Sequence, residues 1–78
     1  MVKINILGHK ELKVSPLAFG TAFTHFGLMD NPTQEDLKDC LPLEGETVKD
    51  CEGRDYEISK RSVDASGNIV IDLLYQED

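Results

Sequence analysis

Ser15 to Met29, SPLAFGTAFTHFGLM, holds all three phenylalanines of the chain and contains no Asp, Glu, Lys or Arg. Its reading decides the fold. Taken as a helix, it starts with Ser15 as N-cap, whose hydroxyl accepts an otherwise orphaned N–H, and with Pro16 at the first helical position, where a missing donor costs nothing. Phe19, Phe23 and Phe26 then fall on one narrow stripe at 100° per residue, flanked by Ala22 and Met29 on one side and by Gly20 and Gly27 on the other. That stripe is the predicted core face. Thr21, Thr24, His25 and Leu28 fall opposite, an outer side without formal charge. The two glycines would let another backbone approach, although each costs ~1 kcal/mol relative to Ala inside a helix.

Working outward toward the N-terminus, Val2, Ile4 and Ile6 alternate with Lys3 and Asn5, the period of a strand with one buried face. Gly8-His9-Lys10-Glu11 supplies a polar turn, and Leu12-Lys13-Val14 resumes the alternation, which predicts an N-terminal β-hairpin. The rival reading makes Val14 to Gly20 a strand. Residues 12–21, LKVSPLAFGT, resemble the opening barrel strand of aldo-keto reductases. The resemblance covers about ten residues, whereas an eight-stranded α/β barrel takes roughly 250. No match to that family's catalytic residues follows it, so it implies neither that fold nor that activity here.

Toward the C-terminus, Asp30-Asn31-Pro32 breaks the apolar pattern, and Thr33 with Asp36 forms a capping box with the acid one methylene short of the usual Glu. A second, short helix follows, with Leu37, Cys40 and Leu41 on its inner face, and Pro42 ends it. Beyond Glu44 the pattern changes to short strands. Thr47 to Cys51 and Tyr56 to Ser59 flank Glu52-Gly53-Arg54-Asp55, and Val63 and Ile69 bracket the turn Asp64-Ala65-Ser66-Gly67-Asn68. The last strand, Ile69 to Tyr75, is apolar on both faces, which suits an interior position in a sheet or contact with a partner. The predicted fold is one small α+β domain over residues 1–78: an N-terminal β-hairpin, two helices and a C-terminal three-stranded antiparallel meander. A β-grasp-like order is the alternative; the terminal diglycine of conjugating or sulfur-carrier members is not present.

Charge is unevenly placed along the chain. Residues 30–57 carry ten acids against Lys38, Lys49 and Arg54, a balance of −7 that equals the formal charge of the whole chain. Residues 1–29 are net basic by two. Such a chain repels nucleic acid and anionic membranes and attracts basic surfaces. No apolar run approaches the ~20 residues of a bilayer span, and the first residues do not read as a signal peptide, so the expected location is the cytoplasm. Cys40 and Cys51 are then expected as free thiols packed as small hydrophobes.

His9, His25, Cys40 and Cys51 show no zinc-knuckle spacing. The acidic surroundings of both cysteines disfavour a thiolate nucleophile. Asp50-Cys51-Glu52-Gly53-Arg54-Asp55 is not a calcium loop, and the isolated glycines form no phosphate loop. No catalytic, metal or cofactor site is predicted, and the chain is not expected to be an enzyme. Two functions remain. The first is an interaction module or inhibitor that binds a basic, nucleic-acid-handling protein, with Glu35, Asp36, Asp39, Glu44, Glu46, Asp50, Glu52 and Asp55 gathered into one compact, DNA-mimicking surface. The second is a homo-oligomeric assembly protein that meets its copy through the uncharged side of the first helix or through the last strand.

Overall fold

The computed structural model describes residues 2–9 and 14–76. Its four strands are β1 (Val2–Leu7), β2 (Thr47–Lys49), β3 (Asp55–Val63) and β4 (Ile69–Gln76), joined in one mixed sheet of order β1-β4-β3-β2. The two-sided strand β4 lies inside, antiparallel to β3 and parallel to β1. Its register with β1 stacks Ile4 on Ile71 and Ile6 on Leu73, so that the apolar residues of both strands face the same layer.

This arrangement departs from the predicted N-terminal hairpin. Among the described residues β1 has β4 as its neighbour, and a parallel neighbour requires a long crossover, here the whole intervening chain. The physical reason is pairing: with β1 on one edge and β3 on the other, neither edge of β4 is left with a row of unpaired backbone N–H and C=O groups. Of the predicted second arm, Leu12 and Lys13 lie outside the described residues and Val14 is not in a strand. The β-grasp-like alternative would need that same arm. Strands β2, β3 and β4 pair antiparallel in succession, with different bounds from those expected: β2 is three residues long, and β3 runs to Val63 instead of Ser59.

Ser15 to Met29 is not one helix. Ser15 caps a single 3-10 turn over Pro16–Phe19, its Oγ accepting the Leu17 N–H at 3.1 Å. Gly20 then takes φ 63° and stops it, and a short helix α1 (Thr24–Leu28) follows. The strand reading of residues 14–20 is likewise replaced by this turn. All three phenylalanines are nevertheless buried, because the break at Gly20 redirects the chain without moving the rings off the core. Neither glycine serves a close backbone approach, since a Cβ at Gly20 or Gly27 would meet nothing within 4 Å.

Helix α2 (Gln34–Leu37) opens with the predicted capping box: Asp36 N–H donates to Thr33 Oγ1 and Thr33 N–H to Asp36 Oδ2. It ends sooner than predicted, so Leu37 and Cys40 are buried while Leu41 turns outward. One face of the sheet, bearing Ile6, Val48, Tyr56, Ile58, Ile69, Ile71 and Leu73, packs under Phe19, Phe23, Phe26, Leu37 and Cys40. The rings of Phe26, Phe23, Phe19, Tyr56 and Tyr75 form a continuous row with successive centroids 5.0–6.1 Å apart. No helix among the described residues is long and apolar enough to cross a membrane.

A register shift between Ile58 and Lys60 interrupts β3. Before it Tyr56 and Ile58 face the core; after it Arg61 does, because the extra residue reverses the alternation. Beyond the reach of β2, the side chain of Gln34 substitutes for a neighbouring strand, donating Nε2–H to the Arg61 carbonyl (3.1 Å) and accepting the Val63 N–H (3.2 Å). That pair of bonds seats α2 on the sheet.

These conformations separate Gly20 from Gly27. Gly27→Ala should raise stability by about 0.5–1 kcal/mol, as ordinary helix propensity dictates. Gly20→Ala should lower it by about 1–2 kcal/mol through its left-handed φ. Urea denaturation of both variants checks the contrast, and equal effects would contradict the break at Gly20.

Candidate protein interface

One of the eight carboxylates singled out by sequence, Asp50, is not on the surface. Asp50 is internal: its side chain is fully buried and accepts four hydrogen bonds, from Glu52 N–H and Arg54 N–H at Oδ1 and from Arg54 Nε and Tyr56 Oη at Oδ2, at 2.7–3.0 Å. It is therefore removed from the predicted partner-binding face. Of the other seven, six are exposed and Asp55 is half-buried. Glu35, Asp36 and Asp39 stand at α2, near Arg61 and Val63 of β3. Glu44 and Glu46 flank Gly45, whose N–H donates to the Ile58 carbonyl. Glu52 lies in the turn before β3, and Asp55 opens that strand, about 20 Å from Arg61 at ~3.3 Å per strand residue.

Basic neighbours neutralise some of these seven. Lys38 pairs with Glu35 (3.0 Å), Arg54 with Glu52 (3.0 Å) and Lys49 with Asp55 (3.4 Å). Among the described residues Asp36, Asp39, Glu44 and Glu46 have no ion pair. Within this set of seven, the acids without a cation thus fall at residues 36–46.

A groove of about 480 Å³ adjoins them, lined by His25, Leu28, Met29, Asp36, Asp39, Cys40 and Leu41. One wall is α1 and its continuation; the other is α2 and the turn after it. Leu28 is 75% exposed and Leu41 58% exposed, although each was legible in the sequence only as a residue on or beside a helical face. Two residues of the uncharged side, His25 and Leu28, and two of the acids, Asp36 and Asp39, therefore line the same groove, although the sequence presents them as parts of rival surfaces. Leu28 also lines a second, uncharged groove of about 510 Å³ on the other side of α1, with Val2, Pro16, Leu17 and Thr24; Leu17 there is 86% exposed. What sequence reasoning missed is Leu41, which shares a face with Leu37 only if the helix continues four more residues.

The titratable groups of the interior have structural partners. Burial by itself would raise the Asp50 carboxyl, but the hydrogen bonds from Arg54, Tyr56 and Glu52 outweigh it and hold the group below the usual carboxylate range. Burial first, and then the bond to Asp50, pushes the Tyr56 hydroxyl up to about 12. Burial also raises the Cys40 thiol, opposed by the nearby Arg61 cation, which leaves Cys40 a poor nucleophile at neutral pH. Arg61 donates Nη1–H to the Cys40 carbonyl, while its buried Nε has no hydrogen-bond partner. Both cysteines are free; Cys40 packs in the core, whereas Cys51, also expected to pack as a small hydrophobe, is exposed in the turn between β2 and β3. Among the described residues no three His, Cys, Asp or Glu side chains converge as metal ligands.

The Asp50 arrangement has a counterpart. Asp64 Oδ1 accepts the N–H groups of Ser66 and Asn68 as Asp50 Oδ1 accepts those of Glu52 and Arg54, and Gly67 (φ 82°) and Gly53 (φ 84°) hold equivalent left-handed positions. The two D-x-x-G-x turns close the two ends of β3, but only Asp50 is also bonded to a buried tyrosine.

Comparison with protein-family models, with curated proteins and with solved structures finds no match to this chain.

Asp50→Ala should cost about 2–4 kcal/mol, since it strands the buried Tyr56 hydroxyl and removes the acceptor of two turn N–H groups, whereas Asp64→Ala in the outer turn should cost clearly less; chemical denaturation at pH 7 measures both. Tyr56 supplies an alkaline signature. Its folded value is raised above the ordinary value of 10.0, so its stabilisation is complete below pH ~10 and is lost as pH rises toward ~12. Tyr56→Phe should lack that part of the stability–pH curve, and an unchanged alkaline limb would contradict the burial of the hydroxyl.

Proposed function

We propose that the protein is a small, non-catalytic interaction module of the cytoplasm that binds a basic surface on a partner protein. The observation that carries this reading is the joint presence, in one groove, of exposed leucines (Leu28 and Leu41) and carboxylates without counter-ions (Asp36 and Asp39). Exposed apolar groups gain by being covered, and uncompensated acids select a cationic partner and accelerate its approach. The free thiols agree with a reducing compartment. Nucleic-acid-handling proteins are one class with suitable basic surfaces, and blocking such a surface would make the module an inhibitor. The strictly DNA-mimicking form draws less support: Asp50 is internal, three of the acids are paired with cations, and a phosphate backbone has no counterpart to Leu28 and Leu41.

A second reading, self-assembly, is favoured by the uncharged groove containing Leu17. A copy meeting that groove would avoid the acidic side and its self-repulsion.

Capture of partners from the host lysate on the tagged protein, with nuclease present, separates the two. The expected result is a basic protein retained at low salt, released at high salt, and retained less by the double variant Asp39→Asn, Glu44→Gln. Recovery of the protein alone, with a dimer in sedimentation, would replace the module by the assembly reading.

A further inference from the structure

We propose that the groove between α1 and α2 receives an amphipathic, basic α-helix of the partner, with two apolar side chains on Leu28, Met29 and Leu41 and Lys or Arg side chains on Asp36 and Asp39. This rests on the interaction-module reading and specifies its ligand. The argument for a helix comes from where the walls arise. All residues lining the groove lie within 25–29 and 36–41, and none belongs to a strand. An extended peptide gains its affinity from main-chain bonds to an open sheet edge. That edge is elsewhere, and on the α2 side of β3 the Arg61 carbonyl and the Val63 N–H are already taken by Gln34. What is left is side-chain recognition of the helix-in-groove type, in which apolar anchors recur at i, i+3 or i+4 and polar residues flank them.

The argument for positive charge is equally local. Asp36 uses Oδ2 for both of its bonds to Thr33, which leaves Oδ1 available, and Asp39 has no ion pair or hydrogen bond among the described residues. Lys38, the one cation on this segment, is held by Glu35 at 3.0 Å and does not line the groove. A neutral apolar helix would bury two unpaired carboxylates, and an acidic one would add repulsion. A basic helix alone satisfies both walls. His25, at the α1 lip, adds a hydrogen-bonding group at the mouth.

The test is a display selection of helical 16-residue peptides, with their exposed positions randomised, against the full 78-residue chain. Binders are then measured by fluorescence anisotropy and mapped by amide chemical shifts. Selected peptides should carry Leu, Met or Phe at i and i+4 beside Lys or Arg, and should shift the amides of residues 25–29 and 36–41. Leu28→Ser and Leu41→Ser should each weaken binding at least tenfold, and Asp39→Lys several-fold, with the melting temperature unchanged because these side chains are exposed. Binders indifferent to all three variants and mapped to Glu52 and Asp55 would overturn the groove while leaving an acidic interaction module standing. Selected peptides that are acidic, or that bind in extended form, would overturn the ligand assigned here. No binder at any salt concentration would overturn both the groove and the module.

Discussion

The hydrogen bond from the Tyr56 hydroxyl to Asp50 joins the two systems that hold this chain together. The Tyr56 ring is completely buried in the aromatic row that runs from Phe26 to Tyr75, and its hydroxyl reaches Asp50 from within that row. A buried hydroxyl requires a partner, and Asp50 supplies one from the turn that links β2 to β3. The same carboxylate organises the turn through two backbone N–H groups and fixes the Arg54 side chain. Ring packing and turn geometry are thus coupled at one atom pair, and a short strand such as β2 is held where three residues of ladder alone would be marginal.

The opposite end of β3 is governed by the bulge. By reversing the side-chain alternation it brings Arg61 beneath α2, where its guanidinium takes the Cys40 carbonyl, and it leaves Arg61 and Val63 backbone groups facing the Gln34 side chain. Helix α2 is only four residues long and could not persist by its own hydrogen bonds. Its position comes from the capping box at one end and from these contacts to β3. Since Asp36 and Asp39 travel with α2, the bulge in a strand sets the place of two carboxylates on the surface.

The interface follows from where the helices stop. Had residues 15–29 formed one helix and residues 33–41 another, Leu41 would lie on the inner face with Leu37. Early termination of α2 turns Leu41 outward, and the break at Gly20 sets the direction in which α1 carries Leu28. Two exposed leucines therefore face each other's side of a groove that neither segment would make alone.

Much of the local chemistry was legible in the chain itself: the Ser15-Pro16 start, the Thr33–Asp36 capping box, the burial of Phe19, Phe23 and Phe26, the turn at Asp64 to Asn68 and the interior character of the last strand. These depend on contacts within a few residues or on simple periodicity, and both are written in the order of side chains. The sheet order and the meeting of His25 and Leu28 with Asp36 and Asp39 depend on how separate segments of the chain come together. The burial of Asp50 involves only the next six residues, yet an acid in an acidic stretch reads as solvated until its own turn folds it onto Arg54 and Tyr56. A parallel pairing of the first and last strands leaves no local signal, because its energy comes from pairing β4 along both edges, and only the tertiary structure decides which strand is available to do so.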